Sequence, residues 1–245
     1  MKQGTILIAT GLLALGLVVG GWLVGSGFAR ARTADRFVTV KGLAERDVDA
    51  DLALWPFQIV ATAGDLDRAQ DEIGEGARLV REFLVRQGVD AAGLELQGVQ
   101  VTDRLAQQYG GERDPAALRY IVQQGMILRS EDPRSVHAAS QNVGELVDSG
   151  VVMVSATGYG PALPSFLFEA LNDLKPEMIA EATASAREAA EQFAADSRST
   201  LGGIRRANQG VFVIQARDMA PGVVDENQIR KTVRIVSTVE YYLED

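Results

Sequence analysis

Residues Asp51–Gly88 read DLALWPFQIVATAGDLDRAQDEIGEGARLVREFLVRQG, and the two halves of this stretch keep different periods. In the first, Trp55, Phe57, Ile59 and Ala61 recur at every second position, which marks a half-buried strand over Asp51–Ala63. Pro56 has no N–H to give to a ladder, so this strand is expected at a sheet edge or with a bulge there. Gly64-Asp65 ends the alternation, and Asp65 stands where an N-cap is wanted. Ile73, Ala77, Val80 and Leu84 follow at helical spacing, with Gly88 as the C′ residue that stops the helix.

The same signals extend outward from this pair. Upstream, Phe37–Leu43 (FVTVKGL) is a β-rich run. Downstream, Leu94–Thr102 (LELQGVQVT) and Tyr120–Arg129 (YIVQQGMILR) read as strands. The loop between them, Gln107–Leu118, holds the turn formers Gly110-Gly111 and Asp114-Pro115. Pro133 opens a second helix, on which Val136, Ser140, Val143 and Val147 share a face before Gly150. Val151–Thr157 begins a strand, and Ser165–Leu171 continues one after Pro161 and Pro164. A long helix is expected to start at Pro176 as its N1 residue and to stop at Gly202-Gly203. Ile179, Thr183, Ala186, Ala190, Phe193 and Ser197 form one stripe of it, and its many alanines give a slim profile that lets another element approach closely. Gly210–Gln215 and Thr232–Tyr242 are the last strands. The order ββαββαβαββ predicts an α+β fold with a largely antiparallel sheet and helices packed on one face. A doubly wound parallel sheet would need nearly strict alternation.

Ahead of this body, Ile6–Val24 (ILIATGLLALGLVVGGWLV) carries no charge. As a helix it would span about 28 Å, close to the hydrocarbon thickness of a bilayer. Trp22 suits an interfacial anchor. Ala29-Arg30-Ala31 has the small-x-small form of a signal peptidase site, but the apolar run is longer than a signal h-region. The expected layout is an uncleaved N-terminal transmembrane helix over 1–28, a linker over 29–36 and an α+β domain over 37–245. Lys2 on one side, and Arg30, Arg32 and Arg36 on the other, leave sidedness open. Gly16/Gly20 and Gly21/Gly25 each have the G-x-x-x-G spacing that permits close helix pairing.

Composition narrows the function. The 245 residues hold 24 Lys and Arg against 33 Asp and Glu, a formal charge of −9. Because Lys2 is the only charge before Arg30, the body is more acidic still. Phosphate contacts need clustered Lys and Arg, so no nucleic-acid partner is expected. No cysteine is present, which removes disulfides, thiolate metal sites and a Cys nucleophile. The single histidine, His137, would need both an orienting carboxylate and a substrate pocket to act as a base, and nothing local supplies both; it reads as a surface residue.

Glu169, Asp173, Glu177 and Glu181 are spaced by four, but Pro176 is expected to break the helix that would align them. No D-x-D-x-D-G calcium loop, phosphate loop, nucleotide fingerprint, nucleophile elbow or H-E-x-x-H occurs. Gly158-Tyr159-Gly160-Pro161 reads as a turn and Arg205-Arg206 as a surface pair beside a glycine turn. Met126 and Met153 fall in strands; Met219 falls in the loop Ala216–Asn227 and should be exposed. That loop and Gln107–Leu118 are long enough to serve as contact surfaces. No catalytic, cofactor-binding or metal-ligating residue is expected.

Phe37-Val38-Thr39-Val40-Lys41-Gly42 followed by Asp51-Leu52-Ala53-Leu54-Trp55-Pro56 resembles the opening hairpin of the SIMPL-domain family. Arg119-Tyr120-Ile121-Val122, the helix exit Asp148-Ser149-Gly150-Val151, and the Ala182–Leu201 helix with Ile204 beyond its glycines are similar too. The resemblance implies an α+β domain exported to the bacterial periplasm or envelope, ring- or barrel-like homo-oligomers, and in some members a role against oxidative stress. It carries over no functional residue. The combined expectation is a non-enzymatic protein anchored as a single pass in the bacterial inner membrane, with its C-terminal domain in the periplasm. It would be a homo-oligomer without cofactor. The alternative is a binding module for a small apolar or lipid-like ligand, held in a groove left by the alanine-rich helix.

Overall fold

The computed structural model describes residues 11, 14–26, 36–106, 118–154 and 163–244. Lys2, the first part of the apolar run, the Ala29-Arg30-Ala31 site, most of the linker and of the Gln107–Leu118 loop, and the Gly158–Pro161 turn lie outside the described residues. Residues 14–26 are helical, with Leu15, Leu17, Val18, Val19, Trp22, Leu23 and Val24 exposed. Among the described residues no helix is long and apolar enough to cross a membrane.

Beyond them the chain runs β1 (Phe37–Asp49), β2 (Leu52–Ala63), α1 (Leu66–Arg86), β3 (Leu94–Asp103), β4 (Tyr120–Ser130), α2 (Pro133–Gln141) and α3 (Gly144–Asp148). There follow β5 (Ser165–Leu167), α4 (Leu171–Asp196), β6 (Thr200–Gln209), β7 (Val213–Ala216) and β8 (Arg230–Glu244). The α+β class and the antiparallel pairing stand, but the strands make two sheets where one was expected. One is ordered β3-β4-β2-β5; the other is ordered β1-β8-β6, with β7 also on β8. The body divides into two compact units, Glu45–Pro176 with Val213–Val233, and Met1–Ala44 with Glu177–Phe212 and Arg234–Asp245.

In the unit containing β2, the alternation of Asp51–Ala63 buries Trp55, Phe57, Ile59 and Ala61 against α1, whose Ile73, Val80, Phe83 and Leu84 face them. Asp65 caps α1 as its position suggests: its Oδ1 accepts the Arg68 N–H at 2.9 Å. Gly88, at φ +76°, ends the turn after it. Pro56 corrects the expectation of an edge strand, since β2 lies between β4 and β5 in unbroken register with β4. On the side away from β4, Val60 donates to the Val152 carbonyl and Gln58 accepts from the Val154 N–H. Alternation therefore points the Pro56 nitrogen the same way. There it falls between that segment and Leu54, the last residue paired with β5, so no ladder bond is lost.

The β3–β4 pairing slips once, between Leu96 and Val99. Gln124, only 5% exposed, donates its side-chain amide to the Gln97 and Gly125 carbonyls, both at 2.7 Å. The carbonyl freed by the bulge thus keeps a partner.

Helix α4 corrects a second expectation. It begins at Leu171, and Pro176 lies inside it. Only the first four N–H groups of a helix lack partners, so a proline at the sixth position removes a single bond. The start is set from a distance: Asp51 accepts the Glu169 N–H on Oδ1 at 2.7 Å and the Ala170 N–H on Oδ2 at 2.8 Å. Asp51→Asn keeps one acceptor and turns an amide donor onto the other N–H. Its expected cost is about 1–3 kcal/mol, read as a lower denaturant midpoint with an unchanged slope.

The other unit is built on alanines. Ala182, Ala186 and Ala190 are fully buried and Ala194 nearly so; the core there includes Val40, Val239 and Tyr241. Gly42 on β1 comes so close that a Cβ built on it would lie 1.8 Å from the Ala182 carbonyl oxygen. The slim helix does admit a close neighbour. Gly202-Gly203 does not stop α4 but lies in β6, at a slip in its pairing with β8. The helix instead ends at Asp196, followed by Arg198 at φ +56° and by the Ser199 N–H bonded back to the Ala194 carbonyl. The Pro133 helix breaks at Asn142-Val143 into α2 and α3. Of the strand expected from Val151, Met153 makes a single bridge to Ile59.

Candidate functional site

A cleft of about 540 Å³ opens between the end of β2, one face of α1 and the segment that follows Gly150. Its floor is apolar, from Ile59, Ala61, Ile73, Leu79 and Val151, and its rim carries Asp71, Glu72 and Glu75. The period-two and helical patterns that form β2 and α1 bring these residues together. Two rim carboxylates are already engaged on the helix surface. Arg68 donates to Glu72 at 3.1 Å, and Arg78 bridges Glu75 and Glu82. The hydrogen bond from Arg78 holds the Glu75 carboxyl below its usual range. Ser149, which also lines the cleft, donates its hydroxyl to the Glu145 carbonyl at 2.7 Å. Chemically the cleft offers apolar contact and an acidic edge.

The residues considered for chemistry are dispersed. His137 is exposed on α2, edge-on to the Phe166 ring at 5.9 Å. Glu169 precedes α4 and pairs with Arg129 at 3.0 Å, whereas Asp173, Glu177 and Glu181 lie on the helix, which Pro176 does not interrupt. Among the described residues no group of three or more His, Asp and Glu could hold a metal ion. Met126 and Met178 are buried and Met219 is 76% exposed. Arg205 lies over the Phe37 ring at 4.0 Å and pairs with Glu240, within a strand rather than beside a turn.

Other charges neutralise one another locally. Asp47, Asp49, Arg217 and Arg230 line one shallow depression; Arg134 bonds Asp49, and Asp47 accepts the Thr232 hydroxyl at 2.7 Å. Arg217 holds the Asp218 carboxyl below its usual range through a hydrogen bond. Lys231, 5% exposed, donates to the Asp225 carbonyl at 2.7 Å, and burial pushes its ammonium down while Asp225 and Glu226 oppose the shift.

Sequence reasoning missed one feature outright. Leu96, Val99 and Val101 on β3 are 61%, 56% and 46% exposed, and their partners in register are Met126, Gln124 and Val122. Those partners are buried, and directly opposed residues share a face, so the three side chains continue the core face of the sheet past its cover. The signal was present in LELQGVQVT. Its apolar residues change from even to odd positions across Gly98, which is how an inserted residue reads.

The sequence profile described as SIMPL, Protein of unknown function (DUF541), matches residues 38–241. The chain belongs to the SIMPL family. No curated protein matches it significantly. In this SIMPL chain several of the residues that carried the resemblance hold the fold together. Gly42 lets β1 meet α4, Asp51 holds the start of α4, and Trp55 fills the core under α1. Gly150, at φ +87°, takes a conformation that L side chains rarely adopt. Ser149, Gly150 and Val151 of the same signature also line the cleft.

Proposed function

We propose that this SIMPL protein is a non-enzymatic cell-envelope protein, anchored as a single pass in the bacterial inner membrane. Its domain would lie in the periplasm, assemble with further copies of itself and support tolerance of oxidative or envelope stress. The observation that carries the anchor is the helix over 14–26, on which seven large apolar side chains are exposed and no charge occurs. Joined to the uncharged residues before it, that run suits hydrocarbon better than water. Assembly, export and the stress role rest on the family likeness. The dispersal of His137 and the carboxylates supports a reading without catalysis.

Placing an arginine mid-helix costs about 2.5–3.5 kcal/mol of insertion free energy. Val18→Arg should therefore move the protein from the carbonate-resistant membrane fraction towards the soluble one, while the native chain stays with the membrane. A native chain fully extracted by carbonate would refute the anchor. A C-terminal reporter active only in the cytoplasm would refute the periplasmic placement.

A second reading is favoured by the cleft between β2 and α1, namely capture of a small ligand with an apolar body and a cationic end. Ile59, Ala61 and Leu79 would hold the body, and Asp71 at the rim would face the charge. Native mass spectrometry of protein purified from its own membranes, showing only the bare chain mass, would remove this reading.

A further inference from the structure

Five strands lie at sheet edges, and four of them are guarded. β7 is four residues long. β5 is three residues long. β1 carries Lys41, Glu45, Arg46, Asp47 and Asp49. β6 is broken by two register shifts and bears Arg205 and Arg206. Short length, charge and bulges are the ordinary means of keeping an edge strand from pairing with another chain. β3 is different. From Leu96 to Thr102 it reads LQGVQVT, without a charge or a proline, and no described strand pairs with its outer side. Its single bulge returns Val99 and Val101 to the face that Leu96 already occupies. Helix α1 covers β2 and β4, and the stripe beyond them is open.

We propose that β3 is the surface through which one copy of this chain pairs with a second, antiparallel and about a twofold axis; the inference rests on the self-assembly proposed above. An open strand edge calls for a strand as its occupant, because only a strand supplies backbone donors and acceptors in matching register. Charge selects a second copy of this chain. Two chains of formal charge −9 repel, and the uncharged window of β3 is a surface where they meet without opposing carboxylates. In a twofold antiparallel arrangement Glu95 of each strand lies towards the far end of its partner. Asp103 at that far end is already paired with Arg119, at 2.7 and 3.0 Å. Leu96, Val99 and Val101 of the two copies then form one continuous apolar band, and each sheet extends into the other.

The native chain has no cysteine, so single cysteines report contacts without background. In the full-length protein in its own membranes, Val99→Cys or Val101→Cys should give covalent dimers on mild oxidation, at least tenfold above Ile204→Cys on β6. Val99→Lys, which sets like charges against each other across the axis, should reduce the mass of the detergent-solubilised protein to that of one chain, measured by light scattering. If the wild type assembles, yet neither β3 cysteine cross-links better than Ile204→Cys and Val99→Lys keeps the wild-type mass, the β3 inference falls and self-assembly stands. If the wild type itself is a single chain both in membranes and in detergent, self-assembly falls and this inference with it.

Discussion

Gly42→Val lowers the thermal midpoint of the unit containing α4 by roughly 10 °C, the largest effect expected of a single substitution here. A Cβ at this position would lie 1.8 Å from the Ala182 carbonyl oxygen and 2.4 Å from the Ala186 backbone nitrogen. Both are main-chain atoms of a helix, so no rotamer change can yield the space. Relief requires β1 and α4 to separate, which uncovers Val40 and the alanine stripe. Overpacking costs about 1–3 kcal/mol, and more where backbone must move, and each kcal/mol shifts a unit of this size by about 4–8 °C. Gly74 on the exposed face of α1 provides the opposite sign, since a Cβ there meets nothing. Gly74→Ala should raise stability by about 0.5–1 kcal/mol through helix propensity alone. Calorimetry of the two variants beside the wild type checks both. A Gly42→Val midpoint within 2 °C of wild type, a margin of roughly half a kcal/mol or less, would contradict the close packing of β1 on α4.

Trp55→Ala should be comparably severe in the other unit. Trp55 is 1% exposed and lies against Phe57 at 4.4 Å and edge-on to Phe83 at 6.5 Å. Its loss removes the largest side chain from a core that joins β2 to α1. Truncations of this type cost about 3–5 kcal/mol, with the spread set by how far the site can collapse. Here the neighbours are ladder residues and a helix of 21 residues, both slow to move into a void. Trp55→Phe should recover more than half of the loss, because it refills most of the volume. A denaturant series on Trp55→Ala, Trp55→Phe and the wild type measures the difference; equal midpoints for the two variants would mean that volume is not what this residue contributes.

What the sequence revealed, and what it withheld, follows from range. The strand over Asp51–Ala63, the Asp65 cap, the Gly88 stop and the strands either side of the polar loop were legible because each signal lies within a few residues of its effect. The start of α4 was not, because the carboxylate that sets it belongs to Asp51, 118 positions before Glu169. Pro56 and Gly202-Gly203 misled for a related reason. A proline or a glycine pair normally interrupts, yet here one nitrogen faces a gap in the sheet and the pair forms a slip within β6. Arg198 stops a helix from a left-handed conformation that nothing in its residue type announces. Among the candidates for chemistry, the exposure of His137 and Met219 could be read directly. The open apolar stripe on β3 could not, since its exposure depends on where α1 ends its cover.

One topological fact bears on how the protein is made. In the sheet ordered β1-β8-β6, the strand that separates the first from the last is β8, which ends at Glu244. Neither flank has its ladder until β8 has been made, so β1, α4 and β6 must wait for a strand that follows them all in the chain. The loop closed by that pairing is long, and strand pairing between positions so far apart in sequence is the slow kind, so this half is expected to lock after the β3-β4-β2-β5 sheet.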